Sequence, residues 1–151
     1  MLKQFKTLLD DILGEQKSRA LGEDEVQIAC AALLVHCARA DGHKSFEEDA
    51  KLRQILAERY TLPAEGVQSL IDDAEQREAD TADIHKFTWV LHRSLDRQGR
   101  LEVVQLLWEI SNADARIDHD EKAVVNLVAG LLDVELADVV ALRQRVQGRS
   151  T

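Results

Sequence analysis

Apolar residues recur along most of the chain every three or four positions, the spacing of one face of an α-helix. Two runs, at 24–39 and 101–110, are apolar nearly all round, so we expect them to be central helices with neighbours on several sides. The other runs alternate with polar positions and predict amphipathic helices around these two. The pattern predicts an all-α single bundle of seven to eight helices.

Polar residues mark where several of these helices should begin and end. Ser45 followed by Glu48, and Asp118 followed by Glu121, have the spacing of a capping box and predict two helix starts. Pro63 should stop the helix that begins at Ser45.

Three further boundaries are predicted between the two central runs. Residues 72–83, the acid-rich tail of the helix before them, are expected to form a solvated face and a loop rather than a binding tract. The next helix is expected to begin at Asp80 or Thr81, which can act as its N-cap. Residues 96–99 read as the exit from that helix.

The first 22 residues are expected to form a unit of their own, an amphipathic helix and a linker preceding a domain at 23–148. The helix should end near Gly14, and its face is defined by Leu2, Phe5, Leu8, Leu9, Ile12 and Leu13. We expect this face to pack on the domain. The alternative is that residues 1–14 dock to a partner protein or a membrane surface.

An internal duplication is centred on two short acidic stretches. Residues 40–48 and 113–121 both read Ala-Asp, three residues, Ser or Asp, two residues, Glu. The apolar residues around them match at an offset of 73, changing to 72 farther along, which implies a slip of one residue. The matched pairs include Leu52 with Val125, Ile55 with Val128, Val67 with Val139, and Leu70 with Leu142. We therefore predict a pseudo-twofold bundle with two related acidic bends.

Each bend places an aspartate just past the end of a central helix, Asp41 in the first copy and Asp114 in the second. A carboxylate there faces the negative end of the helix dipole, which costs up to about 1 kcal/mol unless it is compensated. Backbone amides can supply the compensation in an Asx turn. A hard cation such as calcium or magnesium can do so as well, because it prefers oxygen ligands.

The candidate metal ligands are the acids and hydroxyl of the two bends, Asp41, Ser45, Glu48, Asp114, Asp118 and Glu121. As N-caps, Ser45 and Asp118 already have a structural role, so the cation hypothesis depends chiefly on Asp41 and Asp114.

Composition limits the classes of partner. The 151 residues include 28 acids against 19 Lys and Arg, a formal net charge of −9, which disfavours binding to nucleic acid.

Cys30 and Cys37 lie seven positions apart in an apolar helix and are expected to be reduced core residues, as in the cytosol. The chain has neither a signal-peptide pattern nor an apolar run of roughly 20 residues, so we expect a cytoplasmic protein.

Other kinds of site are disfavoured because the sequence does not fit their residue patterns. With Asp114 as the first position of an EF-hand loop, Arg116 falls on the third and Val125 on the twelfth. The sequence has no GxSxG, glycine-rich phosphate loop or HExxH motif. His43 and His119 are expected to be exposed. A metal-dependent hydrolase that uses one of them is a minor alternative to a protein without enzymatic activity.

The two bends also carry a family resemblance. With Ala-Asp-Gly at 40–42 and Glu48, then Ala-Asp at 113–114 and Glu121, each after an Ala- and Leu-rich helix, the chain resembles the TerB-like family. That family includes tellurite-resistance TerB proteins and a domain fused to some DnaJ-like co-chaperones. The likeness covers about residues 24–147. It departs from the family pattern at Lys44, where an apolar residue is usual, and at Ala115, where a glycine is usual.

The resemblance implies an all-helical domain with a divalent-cation site at Asp41, Glu48, Asp114 and Glu121. It also implies a role in stress or metal-ion response through protein assemblies near the inner membrane. The prediction is a non-enzymatic module that binds calcium or magnesium and contacts a protein partner, which the sequence does not identify. The alternative is a plain helical adaptor without metal, docking through its N-terminal helix.

Overall fold

The computed structural model describes residues 24–40, 42, 45–80, 84–114 and 118–149, and in this part of the chain it contains helices and turns but no strand. The seven helices are α1 (24–38), α2 (Phe46–Tyr60), α3 (Ala64–Asp80), α4 (His85–Ser94), α5 (Arg97–Ser111), α6 (His119–Leu131) and α7 (Leu136–Arg149). The prediction of an all-α bundle is confirmed. The predicted N-terminal helix and linker, 1–22, lie outside the described residues.

The two broadly apolar runs form the centre of the bundle. In α1 all residues from Ala29 to Val35 are buried, as are Cys37 and Ala38. Helix α5 packs against α2, α6 and α7. Its Trp108 is 1% exposed, and the indole N–H donates to the backbone carbonyl of Val139 in α7 at 3.1 Å. Both predicted central helices are therefore confirmed.

The duplication is visible first where the central helices end and the next helices begin. Ala40 N–H donates to Cys37 O, and Ala113 N–H to Ile110 O, each at 3.2 Å. The predicted N-caps are confirmed as well: Ser45 Oγ accepts from Glu48 N–H at 3.1 Å, and Asp118 Oδ1 accepts from Asp120 N–H at 2.7 Å. The second cap thus receives the amide one residue earlier than the capping box predicts.

Helices α2 and α6 also end alike. Thr61 has a φ of 51° and Asp133 a φ of 58°, so each helix is terminated by a left-handed residue. The following amide closes each helix end, with Leu62 N–H donating to Ala57 O at 3.0 Å and Val134 N–H to Ala129 O at 2.9 Å. This is the 6→1 hydrogen bond of a Schellman motif.

These matched ends locate the one-residue slip. The N-caps Ser45 and Asp118 differ by 73 in number, whereas the left-handed residues Thr61 and Asp133 differ by 72. Helix α6 is therefore the copy that is shorter between its two caps. Buried residues before the slip match their counterparts at an offset of 73, and buried residues after it match at an offset of 72.

The acidic stretch after Ile71 continues the helix that precedes it. Helix α3 reaches Asp80, so the predicted acidic tail of this helix is helical over residues 72–80, and residues 81–83 lie outside the described part of the chain. Two acids of this stretch face α1 and the turn that follows it: Glu78 pairs with His36 at 3.1 Å, and Glu75 pairs with Arg39, in the turn, at 3.0 Å. These contacts give the last turns of α3 a tertiary role that the sequence pattern alone does not show.

The boundaries of α4 and α5 also correct the prediction. The N-cap of α4 is Ile84, without a side-chain hydrogen bond, whereas Asp80 is the last residue of α3 and Thr81 lies outside the described residues. Residues 96–99 are not an exit loop. Asp96 is the N-cap of α5 and its carboxylate accepts from Gly99 N–H at 2.8 Å.

No described helix has the length and apolar character required to cross a membrane.

Candidate functional site

The C-terminal ends of α1 and α5 meet inside the bundle. Cys37 Sγ lies 3.3 Å from Ser111 Oγ, and both residues are fully buried. The Ser111 hydroxyl also donates to Leu107 O at 2.9 Å. This contact places both bends, which follow directly in sequence, at one end of the bundle.

Two carboxylates are buried at equivalent positions of the two copies. Glu48 and Glu121 are each the third residue of their helix, α2 or α6, and each is 2% exposed. Ser45 Oγ also donates to Glu48 Oε1 at 3.1 Å. The positive end of a helix dipole favours a carboxylate in the first turn, which explains part of this arrangement. Buried glutamates are nevertheless rare enough to indicate a specific role.

The charges of both carboxylates influence one buried thiol. The pKa of the Cys37 thiol rises from 9.0 to about 12, chiefly because burial disfavours the thiolate. The hydrogen bond with Ser111 lowers this pKa, and the negative charges of Glu121 and Glu48 raise it again. Because both carboxylates act on the same thiol, they lie at the same end of the molecule although 73 positions separate them.

The other predicted site residues are placed differently. Asp114 lies in an exposed turn after α5, and the half-buried Ser45 and Asp118 serve as N-caps. Asp41 lies outside the described residues. Of the acids in the described bends, the structure thus buries the two glutamates rather than Asp114.

The first bend contains a backbone conformation suited to glycine. Gly42 has a φ of 97°, and its N–H donates to Arg39 O at 2.9 Å. Residues with a side chain rarely adopt such a φ. The equivalent position of the second copy is Ala115, which is outside the described residues.

Sequence reasoning missed the pair formed by Cys37 and Ser111. Cys37 reads as one more small residue of an apolar helix, and a contact between residues 74 positions apart is not visible in local periodicity. The available signal was Ser111 itself, a polar residue at the end of the apolar run of α5. At the repeat offset of 73, Cys37 matches position 110, and Ser111 is the next residue.

The donor chemistry of this end suits a hard cation. Glutamate oxygens are ligands that calcium and magnesium prefer. Soft metals such as zinc favour thiolate, and the raised pKa keeps the Cys37 thiol protonated. Within the described residues, no three His, Cys, Asp or Glu side chains form a group that could hold a metal ion. A cation between the two glutamates would thus need further oxygen donors.

The Cys37 pKa leads to a prediction about alkaline stability. An unfolded thiol ionises near pH 9 and the folded one near 12, so the stability contributed by the buried neutral thiol is present below pH 9 and is lost as the pH rises toward 12. Between these values one proton changes the free energy of unfolding by about 1.4 kcal/mol per pH unit.

We expect the Cys37→Ala variant to lose stability less steeply than the wild type over this range, as measured by urea unfolding at several pH values. A parallel loss in both proteins would contradict the prediction.

Comparison with known proteins gives one match. The family model described as "Tellurite resistance protein TerB" matches residues 27–144. The match includes most of α1 and α7, all the helices between them, both bends and both buried glutamates. No curated protein and no solved structure matches the chain.

Proposed function

The chain belongs to the TerB family, and from this we propose that it is a non-enzymatic module that binds a divalent cation at the end of the bundle where Glu48 and Glu121 are buried. One observation carries the proposal. Each copy of the repeat buries a glutamate at the same helical position, and both charges act on the thiol of Cys37.

The energetic argument concerns two like charges in one buried region. Removing a carboxylate from water costs several kcal/mol, and the helix dipole and hydrogen bonds such as that from Ser45 to Glu48 offset part of this cost. Two such carboxylates at one end of a bundle also repel each other. A divalent cation attracts both, so its binding would offset desolvation and repulsion together.

The donors of the proposed site come from both bends. Glu48 and Glu121 would bind the ion first, because they are already buried. Calcium takes six to eight oxygen ligands, and Asp41 and Asp114, at the start of the two bends, are candidates for the further donors. Ser45 and Asp118 would contribute less, because their side chains already accept backbone amides.

Titration of the full chain with calcium, magnesium and manganese tests the proposal. We expect amide NMR shifts in the first turns of α2 and α6. We also expect a rise in Tm, because free metal at 100 times Kd stabilises the folded state by about 2.7 kcal/mol. Unchanged spectra and Tm at millimolar metal would rule the cation site out.

We also propose that the same end contacts a protein partner. Phe46, directly after the N-cap of α2, is 83% exposed beside a groove of about 450 Å³ lined by α2, α5 and α7. The family description, tellurite resistance, supports a role in metal-ion stress response. A plain adaptor without metal is the second candidate, and the exposed side chain of Phe46 favours it.

A further inference from the structure

A second groove lies at the opposite end of α1 from the buried glutamates. Its volume is about 660 Å³, and it is bounded by the start of α1, the end of α3 and the first half of α4. Its apolar lining is formed by Ile28, Ala29, Phe87, Trp89 and Val90. Ile28 and Cys37 are nine residues apart on α1, or about 14 Å at the rise of an α-helix. The groove is therefore separate from the proposed cation site.

Trp89 is the large exposed hydrophobic residue of this groove. Its side chain is 61% exposed, and the guanidinium of Arg93 lies 4.5 Å from the ring centroid. The other large exposed hydrophobic residues of the described part, Phe46, Leu127, Leu136 and Val140, do not line it. An exposed indole in an apolar groove is typical of a surface that is covered by another apolar element.

The chain supplies such an element directly upstream. Residues 2–13 carry six apolar side chains at helical spacing, and a helix with this pattern needs a surface on which to bury them. The rim of the groove carries both signs of charge, Glu25 and Asp80 with Arg77 and Lys86, and residues 1–14 carry both signs as well.

The connection permits this arrangement. Residues 15–23 can span up to about 30 Å, and they lead into α1, whose first turns line the groove. We propose that residues 1–14 form a helix whose apolar face occupies this groove. A short tether gives the segment a local concentration of about millimolar, so it fills the groove ahead of a free partner of similar affinity.

Acrylamide quenching of tryptophan fluorescence tests the proposal in the full chain. The chain has two tryptophans, and Trp108 is 1% exposed, so differences in quenching report on Trp89. The test variant is Leu9→Glu, on the apolar face. The control is Thr7→Glu, which makes the same change of charge on the opposite face of the helix. Both positions precede the segment matched by the family model, which begins at residue 27.

We expect Leu9→Glu to raise the quenching constant at least about twofold, because Trp89 becomes accessible while Trp108 stays buried, and Thr7→Glu to behave as wild type. Protection of Trp89 should be independent of protein concentration. Equal quenching in all three proteins would overturn the proposal. Protection that appears only with dimer formation would assign the groove to a second copy, and protection that requires anionic vesicles would assign the segment to a membrane. Either result would also overturn it.

Discussion

Replacement of Trp108 by alanine is expected to lower the free energy of unfolding by about 3–5 kcal/mol. Trp108 is the largest fully buried side chain in the described part of the chain, and it lies where α5 packs against α7. Alanine would leave a cavity and would remove the donor to the Val139 carbonyl. Because small domains are stable by only about 5–15 kcal/mol, this loss is a large part of the total free energy of unfolding.

Urea unfolding followed by circular dichroism measures this loss, with two further variants as references. Trp108→Phe keeps an aromatic ring and loses the N–H, so it should cost about 1–3 kcal/mol. Leu127→Ala removes a side chain that is 50% exposed in α6 and should cost about 1 kcal/mol or less. A loss for Trp108→Ala no larger than that for Leu127→Ala would show that α5 and α7 are not held together at this point.

The helices and the repeat follow from the sequence because their signals are local. Apolar spacing identifies a buried face within one helix, and the spacing of Ser45 to Glu48 identifies its start. Because the repeat contains the same apolar spacing and the same caps twice, each copy supports the helix boundaries predicted for the other. For this reason even the one-residue slip between the copies was predicted, and the structure places it between the caps of α2 and α6.

The errors arose where a local signal has two meanings. Asp96 followed by Gly99 is compatible with a helix exit, since glycine commonly follows a helix, and also with an N-cap whose carboxylate accepts the Gly99 amide. The structure has the second. Likewise, the acids of α3 look solvated in sequence, but Glu75 and Glu78 face α1, and only the packing of α3 on α1 shows this.

The candidate site was predicted as a set of residues but not as an arrangement. The helix-dipole argument gave most weight to Asp41 and Asp114, because it considers one helix end at a time. Burial depends instead on how the two copies pack, and packing gives Glu48 and Glu121 their 2% exposure and leaves Asp114 in an exposed turn. Asp41 lies outside the described residues, so its part in the site stays a prediction.

Replacing Glu48 and Glu121 together by glutamine is expected to abolish the calcium-induced rise in Tm and the calcium-induced NMR shifts. Glutamine has nearly the shape of glutamate and can also serve in a capping box, so the change removes charge and leaves the helix starts intact. Each single replacement should weaken binding by about tenfold or more, because a carboxylate beside a cation contributes several kcal/mol at the effective dielectric of a protein.

The matched control is the pair Glu47→Gln and Asp120→Asn. These acids lie one position before Glu48 and Glu121, in the same first turns, but they are exposed. The control removes the same total charge from the same end of the bundle, and salt screens exposed charges far more than buried ones. It should therefore keep calcium affinity within about threefold of wild type. Equal weakening by both pairs would assign calcium binding to the general negative charge of the surface, and retained binding in the double glutamine variant would exclude the two buried glutamates as ligands.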